Sequence, residues 1–135
     1  MKEKNYVSPI LDRIRKQTLE EDMALAHGLA LSYVKQVNDM RAFPDKETLS
    51  NLSVFEEAFP EEPEDTKNIL NMLGKYGSPA TVAQTGGRYF GFVCGGILPS
   101  ALCSKWLSDA WDQNSALFVL SPIASKLEEV CENWL

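Results

Sequence analysis

The sequence is poor in the residues that usually form a catalytic or nucleotide-binding site. It has no G-x-x-x-x-G-K-[ST] loop, no G-x-G-x-x-G run opening a helix, and no cysteine or histidine pair at zinc-ligand spacing. His27 is the only histidine. A single histidine among leucine and alanine is more often a packed or surface residue than a base or a ligand. A triad with His27 would need serine and aspartate partners, and nothing in the sequence indicates them.

Positive charge and long apolar runs are also scarce. Lysine and arginine number 13 against 19 aspartates and glutamates, a net charge of -6, so nucleic acid and anionic membrane are not favoured partners. No stretch approaches the ~20 apolar residues of a membrane span. The start, M-K-E-K-N-Y-V-S-P, has no apolar run after its lysines, unlike a signal peptide. Cys94, Cys103 and Cys131 fit free thiols in a reducing cytosol, so we expect a cytoplasmic protein.

Helical periodicity and capping residues predict a mainly α protein with one or two short β segments. The first helix is predicted over residues 9–39, with a restart or kink at Thr18. Shorter helices are predicted at 46–52, from Asp65 to an end at Gly74 or Gly77, from Pro99 to Trp111 and from Pro122 onward. The β-like runs are Val82–Gln84 and Tyr89–Val93, and Ser115–Leu120 is consistent with extended chain.

An acidic segment, residues 56–65, separates two of these helices. It carries six carboxylates interrupted by Pro60 and Pro63. A carboxylate cluster can bind calcium, but the D-x-D-x-D-G register of a calcium loop is absent. The segment is therefore interpreted as a solvated linker that leads into a helix N-terminus.

The first and last predicted helices have apolar patterns that bear on how the chain packs. The long first helix is apolar on several sides, which is typical either of a core helix or of an arm packed on another subunit. The last helix has a start signal at Ser121-Pro122 and no stop signal, and it reaches Trp134-Leu135 on its apolar face. This pattern predicts a chain cut within a larger fold.

The densest chemistry lies between Thr85 and Pro122. Gly86-Gly87 and Gly95-Gly96 allow the backbone to approach a ligand or another chain closely. Arg88 has the geometry to hold a carboxylate or phosphate, and Phe90, Phe92 and Val93 supply an apolar wall. The stretch is either one wall of a ligand site or a glycine-bent hairpin packed on core aromatics.

Cys94 and the Asp112-Gln113-Asn114 triplet each allow a structural and a functional interpretation. Cys94 lies in glycine-rich backbone, but no neighbouring basic residue would stabilise a thiolate. The triplet is either a helix C-cap and turn or a polar rim at the mouth of a pocket.

Three segments between Arg88 and Leu135 resemble the group II pyridoxal-phosphate-dependent decarboxylases, relatives of aromatic-amino-acid and glutamate decarboxylases. The segments read R-Y-F-G-F-V-C-G-G-I-L-P-S-A-L, W-L-S-D-A-W-D-Q-N-S-A and S-P-I-A-S-K-L-E-E-V-C-E-N-W-L. The resemblance is specific from Gly86 to Leu135. It implies the N-terminal portion of a fold-type I enzyme of the aspartate aminotransferase superfamily, truncated before the large-domain sheet.

The resemblance also implies an oligomeric state and a set of site residues. Family members are homodimers whose N-terminal helices wrap the partner subunit. By position, Phe92, Val93, Cys94 and Gly95 would line the substrate pocket on a loop. Gln113 and Asn114 would lie near the inter-subunit wall. The domains expected are an N-terminal helical arm and linker, 1–84, and a substrate-side loop with the first helices leading into the missing cofactor domain, 85–135.

The sequence departs from this family in its length and in its cofactor residues. Family chains are several times longer, and their Schiff-base lysine, ring-pairing aspartate, stacking histidine and phosphate loop all lie beyond the point that matches Leu135. Cys94 departs from the commoner polar or proline residue of that loop. We therefore expect a segment of an L-amino-acid decarboxylase that binds no pyridoxal phosphate and is inactive alone.

Two further hypotheses remain open. The chain is alternatively a non-catalytic helical interaction module that pairs with another subunit, for example a full-length decarboxylase subunit. A third hypothesis is a free-standing small helical domain without an active site.

Overall fold

The computed structural model describes residues 19–61 and 63–135. Within these ranges the chain is mainly helical and contains no β-strand. It forms two compact units, one ending at Gly96 and the other comprising Ile97–Leu135. None of the helices in the described part of the chain is long and apolar enough to cross a membrane.

Helix α1, Leu19–Gln36, is the longest element of the first unit. Glu20, Glu21 and Asp22 occupy its first described turn and Lys35 its last, so the charges complement the helix dipole. The helix ends earlier than predicted, because a turn at residues 37–39 follows Gln36. The predicted start at residue 9 and the kink at Thr18 lie outside the described residues.

Two short helices follow, each opened by an aspartate cap. Helix α2, Lys46–Ser50, begins where the Thr48 backbone N–H donates to Asp45 Oδ1 at 2.9 Å, and it continues as a 3₁₀ helix, Asn51–Phe55. Helix α3, Thr66–Met72, begins where the Lys67 N–H donates to Asp65 Oδ1 at 2.7 Å. Both starts confirm the prediction, because a carboxylate at the N-cap satisfies an otherwise unpaired amide.

Helix α3 packs beside α1 and ends in tightly wound turns. A π-helical turn, Leu73–Gly77, and a 3₁₀ turn, Ser78–Ala80, follow it directly. Leu29 of α1 lies against Gly74, where a Cβ would come within 2.6 Å of Leu29 Cδ2. The Lys67 ammonium forms an ion pair with the Glu21 carboxylate across the two helices.

The two predicted β-like runs are not strands. Residues 82–86 form consecutive turns, in which the Gln84 N–H donates to Val82 O at 2.7 Å and the Gly86 N–H to Ala83 O at 3.0 Å. Tyr89 and Phe90 are irregular, and residues 91–93 form a bend and a turn. Local hydrogen bonds occupy amides that a strand would offer to a neighbouring strand. The prediction of β segments at Val82–Gln84 and Tyr89–Val93 is therefore wrong.

The second unit consists of two helices joined by turns. Helix α4, Pro99–Trp111, starts at its predicted proline, and α5, Pro122–Trp134, starts where Ser121 Oγ accepts from the Ala124 N–H at 3.4 Å. Residues 115–120 are not extended. The Leu120 and Ser121 amides both donate to Leu117 O, which closes a turn before α5.

Candidate functional site

The turn Gly86-Gly87-Arg88 lies against the C-terminal end of helix α1. The Gly87 N–H donates to Asn38 Oδ1 at 3.0 Å, and Arg88 Nη1 donates to Asp39 O at 3.4 Å. Val37 and Ala83, at 6% and 2% exposure, are buried, and so is Gly86 itself. The turn is therefore anchored at a buried part of the first unit.

Position 86 requires glycine because the backbone of Val37 and Ala83 lies close to it. A Cβ there would lie 2.7 Å from Val37 O and 3.2 Å from Ala83 O. Both neighbours are backbone atoms, which cannot rotate away as a side chain can. The backbone does approach a neighbour closely at Gly86, but that neighbour is the chain's own helix end, which neither interpretation of the sequence specified.

Arg88 interacts with that same helix end. Its guanidinium donates to a carbonyl just beyond the last turn of α1, where the partial negative charge of the helix dipole is found. Arg88 is exposed, and the carbonyl occupies one of its several donors. The structure thus gives Arg88 a capping contact in addition to the anion-binding role predicted from its type.

A second set of contacts holds the chain before this turn. Thr81 Oγ1 donates to Ser78 O at 2.9 Å, so the Tyr33 hydroxyl donates to Thr81 Oγ1, also at 2.9 Å. The Ala83 N–H donates to Ala42 O at 3.2 Å. Residues 81–88 are consequently fixed to α1 and to the segment after it.

The loop that leaves this anchor is exposed and apolar. Phe90 and Phe92 are each 94% exposed and Val93 is 105% exposed. Phe92 and Val93 have left-handed backbone conformations, with φ of 52° and 57°. Such values cost roughly 1–2 kcal/mol for a residue with a Cβ, and valine, branched at Cβ, tolerates them poorly. We call residues Phe90–Gly95 the apolar loop.

The remaining predicted residues of the apolar loop have few neighbours. Cys94 is an exposed free thiol whose sulfur lies 3.8 Å from Phe92 O. No heavy atom lies within 4 Å of a Cβ placed at Gly95. The loop therefore has an anchored side at Arg88 and an open side at Gly95.

Gln113 and Asn114 belong to the second unit, and both form local hydrogen bonds. Asp112 ends α4 in a left-handed conformation with φ of 46°. Gln113 Nε2 donates to Trp111 O at 2.9 Å, and Asn114 Oδ1 accepts from the Ala116 N–H at 3.0 Å. These contacts are those of a helix C-cap and turn.

The described residues do not form a site for pyridoxal phosphate. Every lysine from Lys35 to Lys126 is exposed. The Glu21 carboxylate beside Lys67 raises the pKa of that ammonium, whereas an amine that forms a Schiff base needs a lowered pKa. His27 is exposed on α1, and no group of metal-ligating side chains occurs within residues 19–61 and 63–135.

Comparisons with known proteins give no neighbour. No family model matches the chain, and no curated protein or solved structure matches it either.

The sequence did not indicate the contribution of Asn38. Its side chain fixes Gly87 from 49 positions away, and a single asparagine after a helix is an ordinary turn residue. The available signal was an asparagine two residues past a helix end combined with a glycine pair elsewhere. That combination is compatible with many other pairings.

Proposed function

We propose that this chain is a segment of a pyridoxal-phosphate-dependent amino-acid decarboxylase and supplies the substrate-side wall of its active site. The observation that carries the proposal is the apolar loop, which is anchored at Arg88 yet almost completely exposed at Phe90, Phe92 and Val93. Three exposed large apolar side chains in a strained, anchored loop are typical of a surface that becomes covered on binding.

The chain's own role in this proposal is binding and exclusion of water. Phe92 and Val93 would contact the apolar part of an amino-acid side chain, and Phe90 would shield that contact from solvent. Because the described residues do not fit pyridoxal phosphate, the cofactor and the bond-breaking groups are assigned to parts of the enzyme outside these residues.

A chimaeric enzyme tests this proposal. The chain replaces the corresponding N-terminal segment of a full-length bacterial group II decarboxylase, and amine production is measured on a panel of L-amino acids. Visible absorbance of the bound cofactor reports that the chimaera has folded. We expect activity on at least one substrate, and a Phe92→Ala chimaera with KM raised about tenfold, equivalent to about 1.4 kcal/mol of lost binding.

Phe59→Ala is the matched control, because Phe59 is 95% exposed but lies in the acidic linker, outside the apolar loop. It should leave KM unchanged. A chimaera that binds cofactor but produces no amine, or whose KM is indifferent to Phe92→Ala, contradicts the proposal. The isolated chain should show neither cofactor absorbance nor amine production.

The second candidate function is a non-catalytic interaction module, and the second unit favours it. Between Ile97 and Leu135 the buried residue is Ser121, a polar one, while Leu127 and Trp134 are exposed. Small units of about 40 residues rarely bury enough apolar surface to be stable alone. A chimaera without activity whose second unit still binds a partner would favour this function.

A further inference from the structure

The apolar loop makes few contacts of its own that would fix its position on the first unit. Phe90, Phe92 and Val93 are almost fully exposed, so their side chains contribute little packing. Inside the loop the Cys94 N–H donates to Gly91 O at 3.2 Å, a bond that shapes the turn without joining it to another element. The position of the loop is therefore set by the residues that lead into it.

Asn38 holds the backbone immediately before the loop. The Gly87 N–H donates to Asn38 Oδ1 at 3.0 Å, three residues ahead of Phe90. The neighbouring bond from Arg88 Nη1 to Asp39 O is longer, at 3.4 Å, and it holds the tip of a flexible side chain rather than the backbone. The Asn38 bond therefore restrains the direction in which the chain enters the loop.

Asn38 itself lies on a hydrogen-bonded turn. The Asp39 and Met40 N–H groups both donate to Gln36 O, at 2.8 and 3.2 Å. These bonds join the turn to Gln36, the last residue of helix α1. Groups supported by regular elements hold a site more precisely than groups on unsupported loops. The amide oxygen of Asn38 is therefore a well-placed acceptor for the Gly87 amide.

We infer that Asn38 is a positioning residue of the substrate-side wall, and that its bond to Gly87 sets where the apolar loop meets the substrate. The inference rests on the proposed function, because it assigns Asn38 to that same wall. Asn38 acts through the loop and not on the reacting atoms. Its loss should therefore weaken binding of the substrate's apolar group and leave the bond-breaking step unchanged.

Backbone order parameters from ¹⁵N relaxation test the positioning on the full chain without a ligand. In Asn38→Ala the values at Phe90 and Phe92 should fall below about 0.6, the range of flexible backbone, because the entry to the loop loses its restraint. Asn38→Asp keeps an acceptor oxygen and should retain the wild-type values. Gln36→Ala is the matched control, since it removes a side-chain bond to Ser32 Oγ at 3.2 Å on the same helix end. It should leave the loop unchanged.

Two results of this measurement overturn the inference. One is equal order parameters in the wild type and Asn38→Ala. The other is a loss in Asn38→Asp as large as that in Asn38→Ala, because the acceptor oxygen is then not the cause. Circular dichroism reports whether Asn38→Ala stays folded. If it unfolds, Asn38→Leu replaces it, because leucine keeps a similar side-chain volume without an acceptor.

The decarboxylase chimaera measures the effect on substrate binding. Asn38→Ala should raise KM about three- to tenfold for a substrate with a large apolar side chain, with kcat per bound cofactor unchanged. Asn38→Asp should restore KM, and Gln36→Ala should change neither constant. Because Asn38 acts through the loop, adding Asn38→Ala to Phe92→Ala should raise KM by less than Asn38→Ala does alone. Fully additive effects, or a lower kcat with KM unchanged, overturn the inference.

The chimaera also separates failure of this inference from failure of the proposed function. If the wild-type chimaera binds cofactor but produces no amine, the proposed function and the role of Asn38 in substrate binding fail together. If the wild-type chimaera is active and its KM responds to Phe92→Ala but not to Asn38→Ala, only the inference about Asn38 fails.

Discussion

Gly86 meets Val37 at a distance that leaves no room for a side chain: a Cβ on Gly86 would lie 2.7 Å from the Val37 carbonyl oxygen. The two residues are far apart in sequence, yet both are buried. Their contact joins the end of helix α1 to the turn from which the apolar loop departs. The position of that loop therefore depends on a backbone contact that only glycine permits.

Gly86→Ala should destabilise the first unit. Because the added methyl group meets backbone oxygens of Val37 and Ala83, the turn must move away from α1. We expect the free energy of unfolding to fall by about 1–3 kcal/mol, measured by urea denaturation. Gly95→Ala is the control, since its methyl group would meet no atom within 4 Å, and it should change stability by less than about 0.5 kcal/mol. Equal losses in the two variants would argue against a tight contact at Gly86.

Asn38→Ala should release the same turn by removing the acceptor for the Gly87 amide. Loss of a hydrogen bond of this kind costs about 0.5–1.5 kcal/mol. Amide hydrogen exchange at Gly87 is the direct measurement, and exchange should accelerate in Asn38→Ala. Asn38→Asp retains an acceptor oxygen at the same position and should keep the Gly87 amide protected. Unchanged protection in Asn38→Ala would mean that the contact at 3.0 Å contributes little in solution.

Helix starts were predictable because their signals are local. The short helix after Asp45, the helix led by Asp65-Thr66, and those opened by Pro99 and Pro122 all begin where predicted. In each case the cap or the proline acts within one helical turn of itself. The helix through Met72 also passes into its final turns near Gly74 as expected.

The β prediction at Tyr89–Val93 failed because strand formation requires a partner that local sequence does not specify. Aromatic and β-branched residues favour strands only when a neighbouring strand accepts their amides. Here the Tyr89 and Cys94 amides donate to Gly86 O and Gly91 O within the loop.

Only part of the candidate site could be predicted from the sequence, because contacts between distant residues leave no local signal. The glycine pair, Arg88 and the exposed aromatic residues were recognisable by type. Their anchoring on Asn38 and Asp39 is a contact over 49 positions, which periodicity does not encode. The left-handed conformation of Val93 could not be predicted from the sequence either, because valine is among the residues least suited to it.

The free energy of unfolding should fall in acid, and part of that fall should come from protonation of Asp45. The hydrogen bond from the Thr48 backbone amide, together with that from the Thr48 side chain, lowers the pKa of the Asp45 carboxyl below its ordinary value of 3.8. A lowered folded-state pKa means that the cap stabilises the fold fully above the unfolded pKa. Its contribution is lost as the pH falls from 3.8 through the lower folded value. The measurement is the urea midpoint as a function of pH.

Asp45→Asn is the matched variant for this pH dependence. Asparagine still accepts from the Thr48 amide but does not titrate, so its stability should change less than that of the wild type over the same acidic range. Identical pH profiles for the two proteins would show that other carboxylates dominate the acid response.

Val93→Gly should stabilise the chain even though it removes an apolar side chain. Val93 is 105% exposed, so no buried contact is lost, and its φ of 57° is one that glycine adopts without strain. Relief of about 1–2 kcal/mol of strain is partly offset by the greater freedom of glycine in the unfolded chain, which leaves a net gain of roughly 0.5–1 kcal/mol.

Val54→Gly, in the 3₁₀ helix of the same unit and without a left-handed φ, should instead lower stability by about 1 kcal/mol. In the decarboxylase chimaera, Val93→Gly should raise KM as Phe92→Ala does. Greater stability together with weaker substrate binding would show that the strained conformation of the apolar loop is kept for contact with a ligand. A Val93→Gly chimaera with unchanged KM would remove Val93 from the proposed wall.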